Sequence, residues 1–239
     1  NINKFKNFTY QNQKNGIQNY CQISEKKNLI DVIDLGNQPL ADTLIKRSDL
    51  NKKEKFYPLK LLRSPDLGYA QLNYVVSSKK VYHPKYPYRP GITKEILVHY
   101  KDQVKENIKK LNLNKNSLVA DIGSNDGSLL NYYRKFNMKI VGVEPTNIAN
   151  IANKNKINTL KKFFNLETSN EIIKKYGKAK LITSTNVFAH MPTLHDFMLG
   201  VVNLMDEAGI DTGIDMLGLK KTALHLKRTL QSTALKSAI

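Results

Sequence analysis

The stretch Leu118-Val-Ala-Asp-Ile-Gly-Ser-Asn-Asp-Gly127, followed by Ser128-Leu-Leu-Asn-Tyr-Tyr-Arg-Lys-Phe136, decides the fold. Leu118 to Ile122 reads as a buried strand, Gly123 to Gly127 as a turn, and Ser128 to Phe136 as a helix with Leu129, Leu130, Tyr133 and Phe136 facing inward. A strand that passes through a glycine turn into a helix is where a doubly wound sheet opens its ligand crevice. Gly123 and Gly127 let backbone approach a ligand without an intervening Cβ, and the amides at the helix start favour an anionic group. Glu144 ends the next strand, Lys139 to Val143, where a carboxylate can accept both hydroxyls of a ribose.

The glycine spacing separates two kinds of ligand. A dinucleotide turn requires Gly-x-Gly-x-x-Gly, whereas residue 125 is Asn and the glycines here fall as Gly-x-x-x-Gly. With Asp121 at the strand end and Asp126 in the turn, a cationic, sulfonium-bearing amino acid fits better than a pyrophosphate. The cofactor-binding candidates are therefore Asp121, Gly123, Ser124, Asn125, Asp126, Gly127, Glu144 and Pro145, with Asn186 from a later strand and Phe164 as a wall for an adenine ring. His190, at the same sheet edge as Asn186, is a candidate general base.

Outward from this segment, strands and helices alternate. Ile92, Ile96, Tyr100, Val104, Ile108 and Leu111 recur at helical spacing ahead of the first strand. Asn147 to Asn153 reads as a helix, Ile157 to Leu160 as a short extended piece, and Lys180 to Ser184 as a strand. Thr168-Ser-Asn-Glu171 has the pattern of a capping box for a helix ending at Gly177, and Thr193-Leu-His-Asp196 opens another. Alternation of this kind predicts an α/β fold, a Rossmann-like parallel sheet covered on both faces. Short apolar runs at Leu29 to Ile33 and Tyr69 to Val76, broken by Gly36, Pro39, Pro65 and Gly68, predict a small strand-rich module in front of it. The boundaries drawn are 1–18 for a polar mobile leader, 19–85 for the module, 86–116 for a linker and helix, 117–210 for the cofactor-binding core and 211–239 for a basic tail.

Composition limits the function classes. The formal net charge is +18, but the lysines are scattered as singles and pairs, such as Lys79-Lys80 and Lys161-Lys162, and a nucleic-acid footprint is concentrated on one surface. No run approaches the roughly 20 apolar residues that span a bilayer. The start, Asn-Ile-Asn-Lys-Phe-Lys, has no signal-peptide pattern, so a cytoplasmic address is expected. Cys21 is the one cysteine, which excludes an internal disulfide.

Several separated motifs resemble one family, the C-methyltransferases of nucleotide-linked keto-deoxysugars. They are Asp34-Leu-Gly-Asn-Gln-Pro-Leu-Ala41, Phe56-Tyr-Pro-Leu59, Leu67-Gly-Tyr-Ala-Gln-Leu72, Tyr86-Pro-Tyr88, Asp121-Ile-Gly-Ser-Asn-Asp-Gly127, Gly142-Val-Glu-Pro145 and Asn186-Val-Phe-Ala-His190. The resemblance implies a class I fold using S-adenosyl-L-methionine, a small-molecule nucleotide-sugar substrate, and an enolate that attacks the sulfonium methyl. It implies Tyr86, Arg89 and His99 on the substrate and Tyr88 or His190 as catalytic residues. RNA or protein methylation, and a non-catalytic cofactor-binding remnant, are the competing readings.

The resemblance also implies an N-terminal zinc module held by two Cys-x-x-Cys pairs. Here they read Cys21-Gln-Ile-Ser24 and Ser64-Pro-Asp-Leu67, and His83 and His99 lie too far along to restore the pattern. No metal is expected, with the module held by its apolar residues alone. After about Leu204 the match stops and a basic stretch with His225 follows, so the sheet is expected to lack its last strands and the chain to turn over slowly.

Overall fold

The computed structural model describes residues 15–84, 86–206 and 214–215, which fall into two compact units. The N-terminal unit runs to Tyr88 and includes Pro192–His195; the second comprises Arg89–Met191 and continues from Asp196.

In the N-terminal unit, β1 (Gly16–Ile17) pairs antiparallel with β5 (Tyr74–Val75), and β2 (Ile30–Pro39), β3 (Phe56–Arg63) and β4 (Ala70–Leu72) form an antiparallel sheet. Short helix α1 (Ser78–Val81) follows. Of the segment 1–18 read as a leader, Gly16 and Ile17 are paired across to Val75 and Tyr74, and residues 1–14 lie outside the described residues. Leu29 to Ile33 does not build a core: Ile30, Val32, Ile33 and Leu35 are all exposed on β2, a strand solvated on both faces. Buried here are Cys21, Leu62 and Leu194 with the polar residues Gln18, Ser64, Gln71 and His195. Gln71 accepts the Gln22 amide at 2.8 Å and donates to the Tyr20 carbonyl at 2.9 Å. Apolar packing alone therefore does not hold this unit, and a buried glutamine with both ends satisfied supplies part of the connection.

The second unit is the α/β domain read from the sequence. Helix α2 (Lys94–Leu111) precedes β6 (Leu118–Ile122), α3 (Ser128–Lys135), β7 (Lys139–Val143), α4 (Ala149–Lys154), β8 (Thr159–Leu160), α5 (Leu166–Tyr176), β9 (Leu181–Thr183), α6 (Leu194–Leu204) and β10 (Ile214–Asp215). The strands lie in the order β10-β9-β6-β7-β8, every pair parallel. Order reverses between β6 and β9, the switch point at whose carboxyl ends such sheets hold ligands. Against the expected loss of the last strands, β10 extends the sheet beyond β9. The basic stretch from Lys220 and His225 lies outside the described residues.

All five residues of β6 are buried, as a central strand covered on both faces requires. Val119, Leu129, Leu130, Tyr133, Ile140, Ala152, Ile157 and Leu181 share one core with Tyr100 and Val104 of α2. Phe136 is the exception to the inward face expected of α3: it caps the C-terminus and is exposed, so the helix stops one residue short of it. Thr168 does not cap α5. Asn165 does, its Oδ1 accepting the Thr168 amide at 2.8 Å, while the Thr168 hydroxyl donates to the Phe163 carbonyl at 2.9 Å.

Candidate functional site

The β6 loop is built by left-handed backbone. Gly123 and Gly127 have φ of +74° and +77°, and Asn125, between them, has φ of +50°. Glycine is needed at both ends for a second reason. A Cβ on Gly123 would stand 2.3 Å from Val187 Cγ2, and one on Gly127 would stand 2.8 Å from Ile157 Cγ2. The room left by the missing side chains is filled by the chain's own Val187 and Ile157, so these glycines serve loop closure and packing directly. Val187 follows β9, and its contact with Gly123 joins the two loops that flank the switch point.

Glu144 supports the same loop from the neighbouring strand. One carboxylate oxygen accepts the Asn125 amide at 3.2 Å and the other accepts the Thr146 amide at 2.8 Å. Gly123 and Ser124 both donate to the Val143 carbonyl, at 2.8 and 3.1 Å. Each carboxylate oxygen still has a lone pair to offer, because ionised Glu accepts about four hydrogen bonds. Pro145 follows, half-buried.

Asp126 closes the turn onto α3. Its Oδ1 accepts from the Ser128 hydroxyl at 2.6 Å and from the Ser128 amide at 3.2 Å, and its Oδ2 lies 3.7 Å from Arg89 Nε. Arg89, a substrate candidate, is thus brought to Asp126, a cofactor candidate. Gly91 permits this approach, since a Cβ there would meet Asp126 Oδ2 and Ser128 Oγ at 2.4 Å.

Asp121 is fully buried, and its Oδ1 accepts the Thr183 hydroxyl at 2.7 Å, across the β6 to β9 register. Burial pushes its pKa up to about 7; the Thr183 hydrogen bond opposes the rise and the neighbouring Glu144 charge adds to it. Three hydroxyls around the switch point, on Ser124, Ser184 and Thr185, are buried and have no partner among the described residues. Buried polar atoms are ordinarily paired, so this cluster fits a polar ligand at the carboxyl edge.

The remaining candidates fall elsewhere. Asn186 has φ of +56° and is exposed, as is His190, which ends a 3-10 turn. Phe164 does not stand free as an adenine wall: it is buried, edge to face on Phe197 at 5.4 Å, and Phe197 meets Phe188 at 5.5 Å. His99 is exposed on α2. Tyr86 and Tyr88 belong to the N-terminal unit, Tyr86 resting edge to face on Tyr82 and Tyr88 exposed. Sequence reasoning missed Thr183, Ser184, Thr185, Ser128 and Val187. The Ser-Thr run ahead of Asn186 was the available signal for the first three.

The parallel sheet with its switch-point loop agrees with comparison to known families, which match residues 97–210 to the one described as "Methyltransferase domain". Residues 21–82 match the family described as "Putative zinc binding domain". The C-methyltransferase NovU of Streptomyces niveus is 28% identical over 191 residues, 80% of this chain and 45% of that protein. The chain therefore spans less than half the length of that curated relative. Among solved structures, Streptomyces venezuelae DesVI is 16% identical with a TM-score of 0.39, covering 57% of this chain and 56% of that one. A SAM-dependent methyltransferase from Archaeoglobus fulgidus is 14% identical with a TM-score of 0.38, covering 54% of each chain. Among the described residues no helix is long and apolar enough to cross a membrane.

Proposed function

We propose that this chain methylates a carbon of a nucleotide-linked keto-deoxysugar with S-adenosyl-L-methionine as donor. The observation that carries the cofactor half is the meeting of the β6 and β9 loops at Gly123 and Val187, with Glu144 beside them and unpartnered hydroxyls at the same edge. The sugar half rests on the ordered motifs, from Asp34-Leu-Gly-Asn-Gln-Pro-Leu-Ala41 to Asn186-Val-Phe-Ala-His190, and on similarity to a protein named as a C-methyltransferase.

S-adenosyl-L-methionine supplies an electrophilic methyl group on a positively charged sulfur. Glu144 offers its remaining lone pairs to ribose hydroxyls, and the loop of Gly123, Ser124, Asn125, Asp126 and Gly127 orients the amino-acid end. Ser124, Ser184 and Thr185 complete the polar lining. A base takes a proton from the carbon beside the sugar ketone; the electron pair left behind forms the new carbon–carbon bond as the carbon–sulfur bond breaks. His190, on an exposed turn at this edge, is the candidate for that base in this unit, and the family resemblance adds Tyr88. The protein contributes position and stabilisation of the enolate oxygen.

A turnover assay with a dTDP-4-keto-deoxysugar tests this reading. Methyl transfer to a sugar carbon, lost in His190→Ala or Tyr88→Phe with cofactor affinity retained, is expected. Transfer to RNA or protein, with none to the sugar, would overturn it.

A further inference from the structure

The N-terminal unit contains one turn twice. At Cys21 the backbone N–H donates to the Lys26 carbonyl at 3.0 Å, and the carbonyl accepts the Glu25 amide at 2.9 Å. At Ser64 the N–H donates to the Tyr69 carbonyl at 2.7 Å, and the carbonyl accepts the Gly68 amide at 2.9 Å. The fifth residue of each turn has left-handed backbone, Glu25 with φ of +57° and Gly68 with φ of +63°. The two turns thus present equivalent first and fourth positions: Cys21 and Ser24 in one, Ser64 and Leu67 in the other.

Those positions carry the Cys-x-x-Cys spacing of a structural zinc site, in the segment that matches a zinc-binding family. Tetrahedral zinc takes four thiolate, imidazole or carboxylate ligands. Here the set is one thiol, two neutral hydroxyls and a hydrocarbon, and the residues do not fit the metal. Among the described residues no cluster of His, Cys, Asp and Glu makes up the deficit. The hydroxyls of Ser24 and Ser64 are buried, Ser64 completely so, and among the described residues they meet only the Cys21 thiol, whose sulfur also accepts the Ser24 amide at 3.5 Å. Polar atoms left to one another's weak contacts at the centre of a repeated turn mark a place where a stronger set of contacts is missing.

We propose that these paired turns keep the shape of a zinc site but bind no zinc, the Cys21 thiol and the Ser24 and Ser64 hydroxyls filling the space of the metal. The Gln71 side chain takes over the connection, fastening the first turn to β4 through Gln22 and Tyr20. The turn geometry outlasts its ligands because backbone hydrogen bonds and the left-handed fifth residues fix it.

Metal content and a restored ligand set test this together. The chain purified without chelator should contain no stoichiometric zinc, and its melting temperature should not change with EDTA. Ser24→Cys combined with Ser64→Cys and Leu67→Cys should take up one zinc per chain and become chelator-sensitive, and with cobalt(II) alone should give the visible absorption of a tetrahedral thiolate site. The double variant Ser24→Cys with Ser64→Cys, which disturbs fewer side chains, should bind cobalt(II) more weakly with thiolate charge-transfer absorption. One zinc in the unaltered chain would overturn the proposal. So would a folded triple variant, or a folded double variant, that shows no cobalt–thiolate absorption.

Discussion

Glu144 holds the Asn125 amide at 3.2 Å from a strand that is neighbour to the one Asn125 follows. Its other oxygen takes Thr146, so a single buried carboxylate fixes two successive loops at the carboxyl edge of the sheet. Loop shape and the proposed cofactor recognition are therefore coupled through one side chain. Variants at this edge need a stability measurement beside every affinity measurement.

Gly123→Ala should be costly. The left-handed φ of +74° costs an L residue roughly 1 to 2 kcal/mol, and the 2.3 Å approach to Val187 adds overpacking of about 1 to 3 kcal/mol. Combining it with Val187→Ala should recover the overpacking share but not the backbone share. Denaturant midpoints check this, and a single variant as stable as the parent would contradict it.

Asp126 should matter more than its ion-pair partner. Asp126→Ala removes two hydrogen bonds to a charged acceptor at the start of α3 and should cost on the order of 1.5 to 3 kcal/mol. Arg89→Met removes a part-exposed pair at 3.7 Å and should cost about 1 kcal/mol or less. Equal losses in urea unfolding would show that the pair, not the turn, is the stabilising element.

Two buried groups should give opposing pH dependences. Asp121 is raised from 3.8 to about 7 by burial, so between those values the folded state holds the extra proton and stability falls as pH rises. Burial lowers His195 from 6.5 to about 4, so in that window the unfolded state binds more protons and stability is lost as pH falls. The two slopes offset each other in the parent, so Asp121→Asn should leave stability rising with pH through the His195 window, and His195→Gln should leave it falling toward pH 7. Stability profiles from about pH 4 to 8 check both, and an Asp121→Asn profile parallel to the parent would contradict the first.

The β6 loop was legible because strand, glycine turn and helix follow one another in sequence, and Glu144 because it ends the next strand. The roles of the glycines were not, since Val187 and Ile157 fill their space from distant parts of the chain. Strand β3 escaped notice because Pro58, Lys60 and Arg63 interrupt its apolar residues; Pro58 remains within a paired strand, beside a register shift. Thr168 matched a capping pattern, but Asn165 stood nearer and could accept the same amide, leaving the threonine hydroxyl for Phe163. In the N-terminal unit the missing thiolates were plain from spacing, whereas the Gln71 connection exists only after distant segments meet.

The central claim, that the β6 loop and Glu144 bind S-adenosylmethionine, is tested most directly by calorimetric titration of S-adenosylhomocysteine into the chain and into Glu144→Gln. Both proteins are monitored by circular dichroism at the titration temperature. The account predicts one site in the parent and a dissociation constant roughly ten- to a hundredfold higher in the folded variant, the consequence of losing a charged acceptor worth about 1.5 to 3 kcal/mol. No binding by the folded parent, or equal affinity in the two proteins, would contradict it.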